Sequence, residues 1–126
     1  MTTVAVVEDN ADNRMLFRGI LESTYEVQDY ESGIEALGKL EHAIPAIILL
    51  DISLPGMDGV EVLAHIRASA ALRNLPVIAL TAHAMAGDRE KYLACGFDDY
   101  VSKPIVDERD LLGAIEKQLA RRPAMA

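Results

Sequence analysis

The hydrophobic pattern of the chain alternates between short apolar segments and longer segments with helical spacing. The short segments occupy residues 4–7, 25–30, 46–50, 76–80 and 100–101. The first, third and fourth are almost entirely aliphatic, which is typical of parallel strands with helices over both faces. The second mixes polar and apolar residues and predicts a strand at the edge of a sheet. The fifth is so short that it predicts only a brief strand.

Apolar residues in the intervening segments recur three or four positions apart, which predicts five amphipathic helices. These positions are Leu16, Ile20 and Leu21; Ile34, Leu37 and Leu40; Val60, Leu63 and Ala64, with Arg67; Ala84, Met85 and Tyr92; and Leu111, Leu112, Ile115 and Leu119. Asn10 or Asp12 is a candidate N-cap of the first helix. Ser32 and Glu35 have the spacing of a capping box at the second helix, and Gly96 predicts the end of the fourth.

The order of strands and helices predicts a doubly wound α/β fold with right-handed crossovers. A chain of 126 residues has room for one domain of ordinary size. We therefore expect residues 1–126 to form a single domain, with a frayed tail at 121–126. Cys95 is the single cysteine of the sequence, so an internal disulfide is excluded and a reducing, cytoplasmic setting is favoured.

The charge balance narrows the range of partners. Twelve Lys and Arg residues against 20 Asp and Glu residues give a net charge of −8, which argues against binding to nucleic acid or to an anionic membrane surface. The longest apolar run, residues 43–50, is too short to cross a bilayer. The residues before the first strand lack the pattern of a signal peptide. We expect an acidic cytoplasmic protein that binds neither nucleic acid nor membranes.

Polar side chains follow several of the predicted strands at the points where the strands end. Glu8 and Asp9 follow the first strand, Asp51 the third, Thr81 the fourth and Lys103 the fifth. In an open parallel sheet, ligands bind beyond the carboxyl ends of the strands. The topology therefore predicts that these five residues, although far apart in sequence, lie along one edge.

Three carboxylates would crowd together at this edge, and like charges within a few ångströms disfavour ionisation unless a cation compensates. A hard divalent ion is the natural compensation, and Mg²⁺ suits a site with few carboxylates. Lys103 adds a point charge and Thr81 adds a hydroxyl donor. A metal, an ammonium and a hydroxyl around one carboxylate neutralise a phosphoryl group as it transfers. Asp51 is then the candidate nucleophile.

Taken singly, most of these residues have an ordinary structural explanation. Asp9 is a candidate helix cap, Thr81 is typical of a strand end, and Lys103 is typical of a protein surface. Tyr100, which precedes Lys103, is typical of a half-buried core aromatic. Asp51 differs, because it ends the most apolar run, where an unpartnered carboxylate is costly. The combination of these residues at one edge favours a chemical role.

Four motifs, in this order and at the ends of predicted strands, resemble those of the response-regulator receiver domains of two-component signalling. They are VVEDN (residues 6–10), LLDISLPGMDG (49–59), LTAHAM (80–85) and YVSKPI (100–105). The resemblance extends from residue 4 to about residue 119. The runs EDN-x-x-N-R-x-L, TAHAMAGD and DYVSKPI further resemble single-domain regulators and the receivers of hybrid kinases.

The resemblance implies a flavodoxin-like fold, with a five-stranded parallel sheet of order 2-1-3-4-5 and five helices. It also implies a role for each matching residue. Asp51 would be the phosphoacceptor. Asp9 would be a direct Mg²⁺ ligand, Glu8 a ligand that acts more often through water, and the main-chain carbonyl of Ser53 the third protein ligand. Thr81 would be the hydroxyl that shifts toward the phosphoryl group, Tyr100 the switch aromatic, Lys103 the cation that, with Mg²⁺, holds the phosphoryl oxygens, and Pro104 the residue after a cis peptide bond.

The same resemblance implies how the protein signals. A histidine kinase or a histidine phosphotransfer protein would donate the phosphoryl group. A downstream protein would bind the face formed by the fourth helix, the fifth strand and the fifth helix. Because the sequence ends soon after the fifth helix, we expect a stand-alone regulator that catalyses only its own phosphorylation and dephosphorylation, and is not otherwise an enzyme.

Two other functions remain open at this point. The first is a Mg²⁺-dependent phosphatase or phosphotransferase with an aspartyl nucleophile, although such enzymes commonly carry an acid where this chain has Ser53, and usually need a further substrate domain. The second is a flavodoxin-like cofactor binder, although an acidic edge would repel a flavin phosphate. Turnover of a phosphate ester would favour the first, and a yellow purified protein the second.

Overall fold

Five parallel strands form one sheet in the order β2-β1-β3-β4-β5. The computed structural model describes residues 2–82, 88–105 and 107–121, without the side chain of Arg89. The strands are β1 (Thr3–Val7), β2 (Glu26–Tyr30), β3 (Ile47–Asp51), β4 (Val77–Thr81) and β5 (Asp99–Ser102). The helices are α1 (Ala11–Leu21), α2 (Gly33–Lys39), α3 (Gly59–Ala68), α4 (Asp88–Cys95) and α5 (Glu108–Arg121), with a 3₁₀ turn at Leu40–His42. The predicted flavodoxin-like fold, strand order and helices are confirmed.

The five predicted strands each have a counterpart, and no strand end differs from its predicted position by more than one residue. β2 lies at one edge of the sheet, as its mixed composition predicts, and β5 lies at the other. Asp51 and Thr81 are the last residues of β3 and β4. Hydrophobicity alone places the ends of these strands too early, because polar residues there continue the backbone pairing, as in the register of Asp51 with Leu80.

Alternate residues of the central strands supply two separate cores, one on each face of the sheet. Ala5, Ile48 and Val77 face a core that also contains residues of α2, α3 and α4. Val4, Ile47 and Ile78 face a second core, completed by α1 and α5. Burial on both faces explains why β3 and β4 read as unbroken apolar runs.

The helical spacing predicts the helices correctly but assigns part of the wrong face to the core. Leu16, Ile34 and Val60 are exposed by 44%, 70% and 41%, and Ala64 is exposed as well. In α1 the buried side chains are Phe17, which the helical spacing does not predict, and Leu21, which it does. Apolar residues at 15–17 and 20–21 cover more than one face of this helix, so packing against the sheet decides which of them is buried.

Side-chain caps begin α1 and α2 as their sequences predict. Asn10, rather than Asp12, caps α1 by accepting from the amide of Asn13 at 3.0 Å. Ser32 accepts from the amide of Glu35 at 3.0 Å at the start of α2. Gly96, with φ of 113°, ends α4, where a left-handed residue is needed.

Two predictions fall partly outside the described residues. Arg121 is the last residue of α5, so the helix runs one residue into the predicted tail, and residues 122–126 lie outside the described part of the chain. Ala84 and Met85, predicted to belong to the fourth helix, also lie outside it. No helix among the described residues has the length and apolar character needed to cross a membrane.

Candidate functional site

The carboxyl ends of β1 and β3 bring three carboxylates together. Glu8, Asp9 and Asp51 each offer one oxygen, and these atoms all lie within 4.8 Å of one another. Glu8 and Asp51 are buried, with 0% and 2% of their surface exposed, whereas Asp9 is exposed. Neighbouring strands with parallel register explain the convergence, since β1 and β3 pair from Val4–Ile47 to Val7–Leu50. The predicted grouping at one edge is therefore present.

Lys103 lies between the two buried carboxylates. Its Nζ donates to Oε1 of Glu8 at 2.9 Å and to Oδ2 of Asp51 at 3.1 Å. The backbone amide of Lys103 donates to the carbonyl of Thr81 at 2.7 Å, which fixes the segment after β5 beside the end of β4. The Lys103–Pro104 peptide bond is cis, as the family resemblance implies. Charge-assisted hydrogen bonds of this kind are short and roughly twice as strong as neutral ones.

The crowding shifts the ionisation of this group. Burial raises the pKa of Glu8 above its usual value of 4.5, the hydrogen bonds from Lys103 and from the amide of Asn10 lower it, and the nearby Asp51 charge raises it further. Burial by itself lowers the pKa of Lys103, but the hydrogen bonds to Glu8 and Asp51 outweigh burial and leave that pKa raised. Lys103 is therefore a cation at neutral pH. Glu8 is a carboxylate of this cluster whose pKa is raised by burial and by the neighbouring negative charge.

Residues of the first turn of α1 hold the segment that carries Glu8 and Asp9. The amide of Asn10 donates to Oε2 of Glu8 at 3.2 Å, and Nδ2 of Asn13 donates to Oε1 of Glu8 at 3.4 Å. Nη1 of Arg14 donates to the carbonyls of Glu8 and Asp9 at 2.8 and 3.0 Å. The sequence motif EDN-x-x-N-R contains these residues, but its spacing gives no role to Asn13 or Arg14, because the contacts depend on how the loop turns back.

The end of β3 and the start of α3 approach each other closely. The amide of Ser53 donates to Oδ1 of Asp51 at 3.0 Å, and the amide of Gly59 donates to the carbonyl of Ile52 at 3.0 Å. A Cβ on Gly59 would overlap the carbonyl oxygen of Asp51 and come within 2.7 Å of the Cα of Ile52. A glycine is needed here for this contact, a reason that a turn-like sequence context does not reveal. The role of the Ser53 carbonyl as a metal ligand stays a prediction.

Thr81 lies at the end of β4, with 1% of its surface exposed. Its Oγ1 is 3.1 Å from the hydroxyl of Tyr92 on α4. Tyr92 is buried, and its ring centroid lies 6.2 Å from the centroid of Tyr100, the half-buried aromatic of β5. From sequence, Tyr92 is identified only as a core residue of a helix. The helical spacing does not predict its polar contact with Thr81, because it does not indicate where the hydroxyl lies.

The donor set fits a hard divalent cation. It consists of three carboxylates, two of them on buried side chains. One lysine pairs with this cluster, and its single positive charge does not balance the three negative charges. Oxygen donors of this kind favour Mg²⁺ or Ca²⁺ over softer metals. Among the residues that the structure describes, no histidine or cysteine belongs to the cluster. The acidic cluster can therefore hold a metal ion.

Comparison with known proteins gives consistent results. The family described as the response regulator receiver domain matches residues 4–116. The polar-differentiation response regulator DivK of Brucella ovis is 44% identical over 104 residues, which cover 82% of this chain and 85% of that protein. This similarity confirms the narrower resemblance that the sequence motifs indicate.

Two solved structures show the same fold. The receiver domain of the sensor histidine kinase PA1611 of Pseudomonas aeruginosa PAO1, with a magnesium ion coordinated in its active site cleft, is 35% identical and superposes with a TM-score of 0.85, over 94% of this chain and 98% of that one. The chemotaxis protein CheY4 of Vibrio cholerae is 26% identical, with a TM-score of 0.85 over 94% of this chain and 98% of the other.

Proposed function

This chain belongs to the response regulator receiver domain family of two-component signal transduction, and from that premise we propose that it accepts a phosphoryl group on the carboxylate of Asp51. The donor is a phosphohistidine on a histidine kinase or a histidine phosphotransfer protein. A phosphorus–oxygen bond forms to Asp51 as the phosphorus–nitrogen bond of the donor breaks. We propose that residues 1–126 form one receiver domain and that it acts in the cytoplasm.

The contact between Lys103 and Asp51 carries this proposal. Lys103 reaches Oδ2 of a carboxylate that is 2% exposed, and the Ser53 amide holds the other oxygen. Fixing both oxygens orients the nucleophile, which removes part of the entropy cost of reaching the transition state. The same ammonium can stabilise the negative charge that develops on the phosphoryl oxygens.

Glu8, Asp9, Asp51 and the main-chain carbonyl of Ser53 would hold the metal, and we propose that it is Mg²⁺. When bound, such an ion neutralises the oxygens of a transferring phosphoryl group. The burial of Glu8 and Asp51 supports this assignment, because buried carboxylates this close to each other favour an added cation. Asp9 is the member of the cluster that is exposed to solvent.

Phosphorylation then changes the surface near Thr81 and Tyr100. The phosphoryl group adds charge of up to about −2 and requires new hydrogen-bond donors. Thr81 shifts to donate to it, and Tyr100 turns toward the space that Thr81 leaves. Tyr100 also lines a surface cavity of about 340 Å³ between β5 and the start of α5. Its reorientation changes the shape of the α4–β5–α5 face, to which a downstream protein binds.

Acetyl phosphate with Mg²⁺ tests the acceptor directly. The wild-type protein should gain the mass of one phosphoryl group in an intact mass spectrum, and D51N should not. D58N is the matched control, because Asp58 is a nearby exposed carboxylate that caps α3 by accepting from the Glu61 amide at 2.9 Å, and Asn caps as well as Asp. Labelling of D51N to the wild-type level would contradict the assignment.

Release of the phosphoryl group to water returns the protein to its starting state, and we propose no other substrate. Ser53, at the position where aspartyl phosphatases commonly carry a second acid, is exposed and bonds to Asp51 through its backbone amide. Repeated turnover of a phosphate ester such as p-nitrophenyl phosphate, abolished in D51N, would identify an enzyme instead.

A further inference from the structure

The buried hydroxyl pair of Thr81 and Tyr92 joins the strand end at the site to the α4 helix. The two oxygens lie 3.1 Å apart, and the two residues are 1% and 6% exposed. The contact crosses from the end of the sheet to a neighbouring helix, so it links the site to a surface element. A buried hydroxyl that loses its partner costs free energy, so moving either residue disturbs the other.

Tyr92 is also the residue that anchors α4. Lys91, Leu93, Ala94 and Cys95 are exposed, and among the side chains that the structure describes in this helix Tyr92 is the buried one. Its ring packs edge-to-face on Phe97, with centroids 6.2 Å apart and an interplanar angle of 89°. A short helix held by one buried side chain changes position readily when that side chain moves.

The Tyr92 ring contacts the proposed switch residue as well. Its centroid is 6.2 Å from that of Tyr100, with an interplanar angle of 42°. Tyr92 therefore contacts, at once, the hydroxyl expected to capture the phosphoryl group and the aromatic expected to reorient. Aromatic pairs at this separation contribute beyond their buried area.

We propose that Tyr92 is a positioning residue that holds Thr81 in its unphosphorylated arrangement. When Thr81 moves to donate to the phosphoryl group on Asp51, the bond to Tyr92 breaks, and the anchor of α4 is released next to Tyr100. The bond thus favours the unphosphorylated state, and phosphorylation shifts the equilibrium toward the released state. This inference rests on the proposed function, since it concerns the same Thr81.

Beryllofluoride, an analogue of the phosphoryl group, provides the test when titrated with Mg²⁺. Y92F removes the hydroxyl and keeps the ring, so the bond that opposes the active arrangement is lost. We expect Y92F to bind beryllofluoride about three- to tenfold more tightly than wild type, the range that one neutral hydrogen bond supplies. A merely structural role for Tyr92 predicts no tightening. Circular dichroism and urea unfolding establish that Y92F is folded.

A double-mutant cycle separates this bond from other effects. In T81V, which replaces the hydroxyl by a methyl of similar size, Y92F should leave the affinity for beryllofluoride unchanged. Y25F is the matched control, because Tyr25 is 7% exposed and belongs to the core on the opposite face of the sheet. Unchanged or weaker binding in Y92F, or the same tightening in the T81V background, would overturn the inference.

The two proposals fail in different ways. If wild type does not bind beryllofluoride, or D51N binds it equally well, the proposed function is wrong. If wild type binds and D51N does not, while Y92F behaves like wild type, only the role of Tyr92 is wrong. Amide chemical shifts add a second readout, since those of α4 in metal-free Y92F should move toward the values of beryllofluoride-bound wild type.

Discussion

Lys103 donates to Glu8 at 2.9 Å across 95 positions of sequence, yet this ion pair offsets only part of the effect that burial and the Asp51 charge have on Glu8. The pKa of Glu8 stays above 4.5 because its burial and the charge of Asp51 together outweigh the hydrogen bonds from Lys103 and Asn10. Relative to its protonated form, the ionised form of Glu8 is therefore less favourable in the folded protein than in the unfolded chain. Ionised Glu8 thus lowers the free energy of unfolding of the metal-free protein, and its negative charge attracts a cation to the site.

E8Q tests this effect as a change in stability. Between pH 4.5 and the raised pKa, the folded state binds more protons than the unfolded state, so the free energy of unfolding falls as pH rises through this window. Gln cannot ionise, so E8Q lacks that fall. In metal-free buffer we expect E8Q to be more stable than wild type at pH 7.5, on the order of 1 kcal/mol, with the difference shrinking toward pH 4.5.

Urea unfolding across this pH range measures the difference. Mg²⁺ should reverse the order, because a ligand that binds only the folded state stabilises it by mass action and E8Q loses one of three metal-attracting carboxylates. Lower stability of E8Q than of wild type in metal-free buffer at pH 7.5 would mean that the Lys103 pair outweighs the crowding.

K103M should separate phosphorylation from metal binding. Removing the ammonium takes a cation away from two carboxylates of the cluster, so Mg²⁺ affinity should be retained or increased. Phosphorylation by acetyl phosphate should slow by about tenfold or more, since the charge that stabilises the phosphoryl oxygens is lost. Magnesium titration by calorimetry and labelling by mass spectrometry give the two values.

The control for this variant is K39M, at an exposed lysine of α2, which should change neither value. A K103M protein that loses metal affinity and labelling in equal measure would indicate that Lys103 only supports the local structure. Urea unfolding of K103M identifies that case. If the two buried carboxylates disrupt the fold once their cation is gone, the free energy of unfolding should fall by about 3 kcal/mol relative to wild type.

The sequence predicts the sheet and the acidic part of the site well, for one physical reason. Aliphatic runs bury on both faces and form parallel strands, and the ends of such strands meet at one edge. Glu8, Asp51 and Lys103 are therefore placed by topology alone, without any knowledge of their side-chain contacts.

Other features depend on three-dimensional neighbours and escape the sequence pattern. Phe17 rather than Leu16 is buried in α1. Both belong to one apolar segment, so the sequence pattern does not distinguish them, and the orientation of the helix on the sheet decides which side chain is buried. Tyr92 has the spacing of a core residue, and only its position beside Thr81 reveals a polar contact. Gly59 looks like a turn residue until the approach of Asp51 is measured.

A pair of glycine substitutions tests the close approach of α3 to the site. G59A should destabilise the fold by about 2 kcal/mol, because its methyl group overlaps the carbonyl of Asp51. At temperatures where it remains folded, its labelling by acetyl phosphate should fall by about tenfold or more, since the displaced backbone carries the nucleophile.

G38A is the matched control within α2. No heavy atom lies within 4 Å of a Cβ at Gly38, and Ala has the better helix propensity by up to about 1 kcal/mol. G38A should therefore be as stable as wild type or more stable, with unchanged labelling. Thermal unfolding compares the two variants, and a G59A protein that unfolds at the wild-type temperature would contradict the steric argument.

Arg14 is expected to position Asp9 for metal binding. Its guanidinium donates to the carbonyls of Glu8 and Asp9 at 2.8 and 3.0 Å, and its partner on the other side, Glu31, is 3.9 Å away and mostly exposed. R14A loses both carbonyl contacts, so the loop that carries Asp9 is less ordered before the metal arrives. We expect the affinity for Mg²⁺ to fall by about three- to tenfold, equivalent to one or two hydrogen bonds.

An opposite effect must be separated from this one. Removing the Arg14 charge makes the cluster more negative and attracts cations. Added salt weakens this electrostatic attraction, although less for partly buried groups than for exposed ones, since the Debye length is about 8 Å at physiological ionic strength. Calorimetric titrations at low and physiological salt distinguish the two effects. R14K is the variant that keeps the positive charge and loses the guanidinium, whose Nη1 bonds to both carbonyls. R73A is the control, at an exposed arginine before β4 and thus at the opposite end of the sheet. If R14K and R14A both bind Mg²⁺ as wild type does at physiological salt, the backbone contacts of Arg14 do not position Asp9.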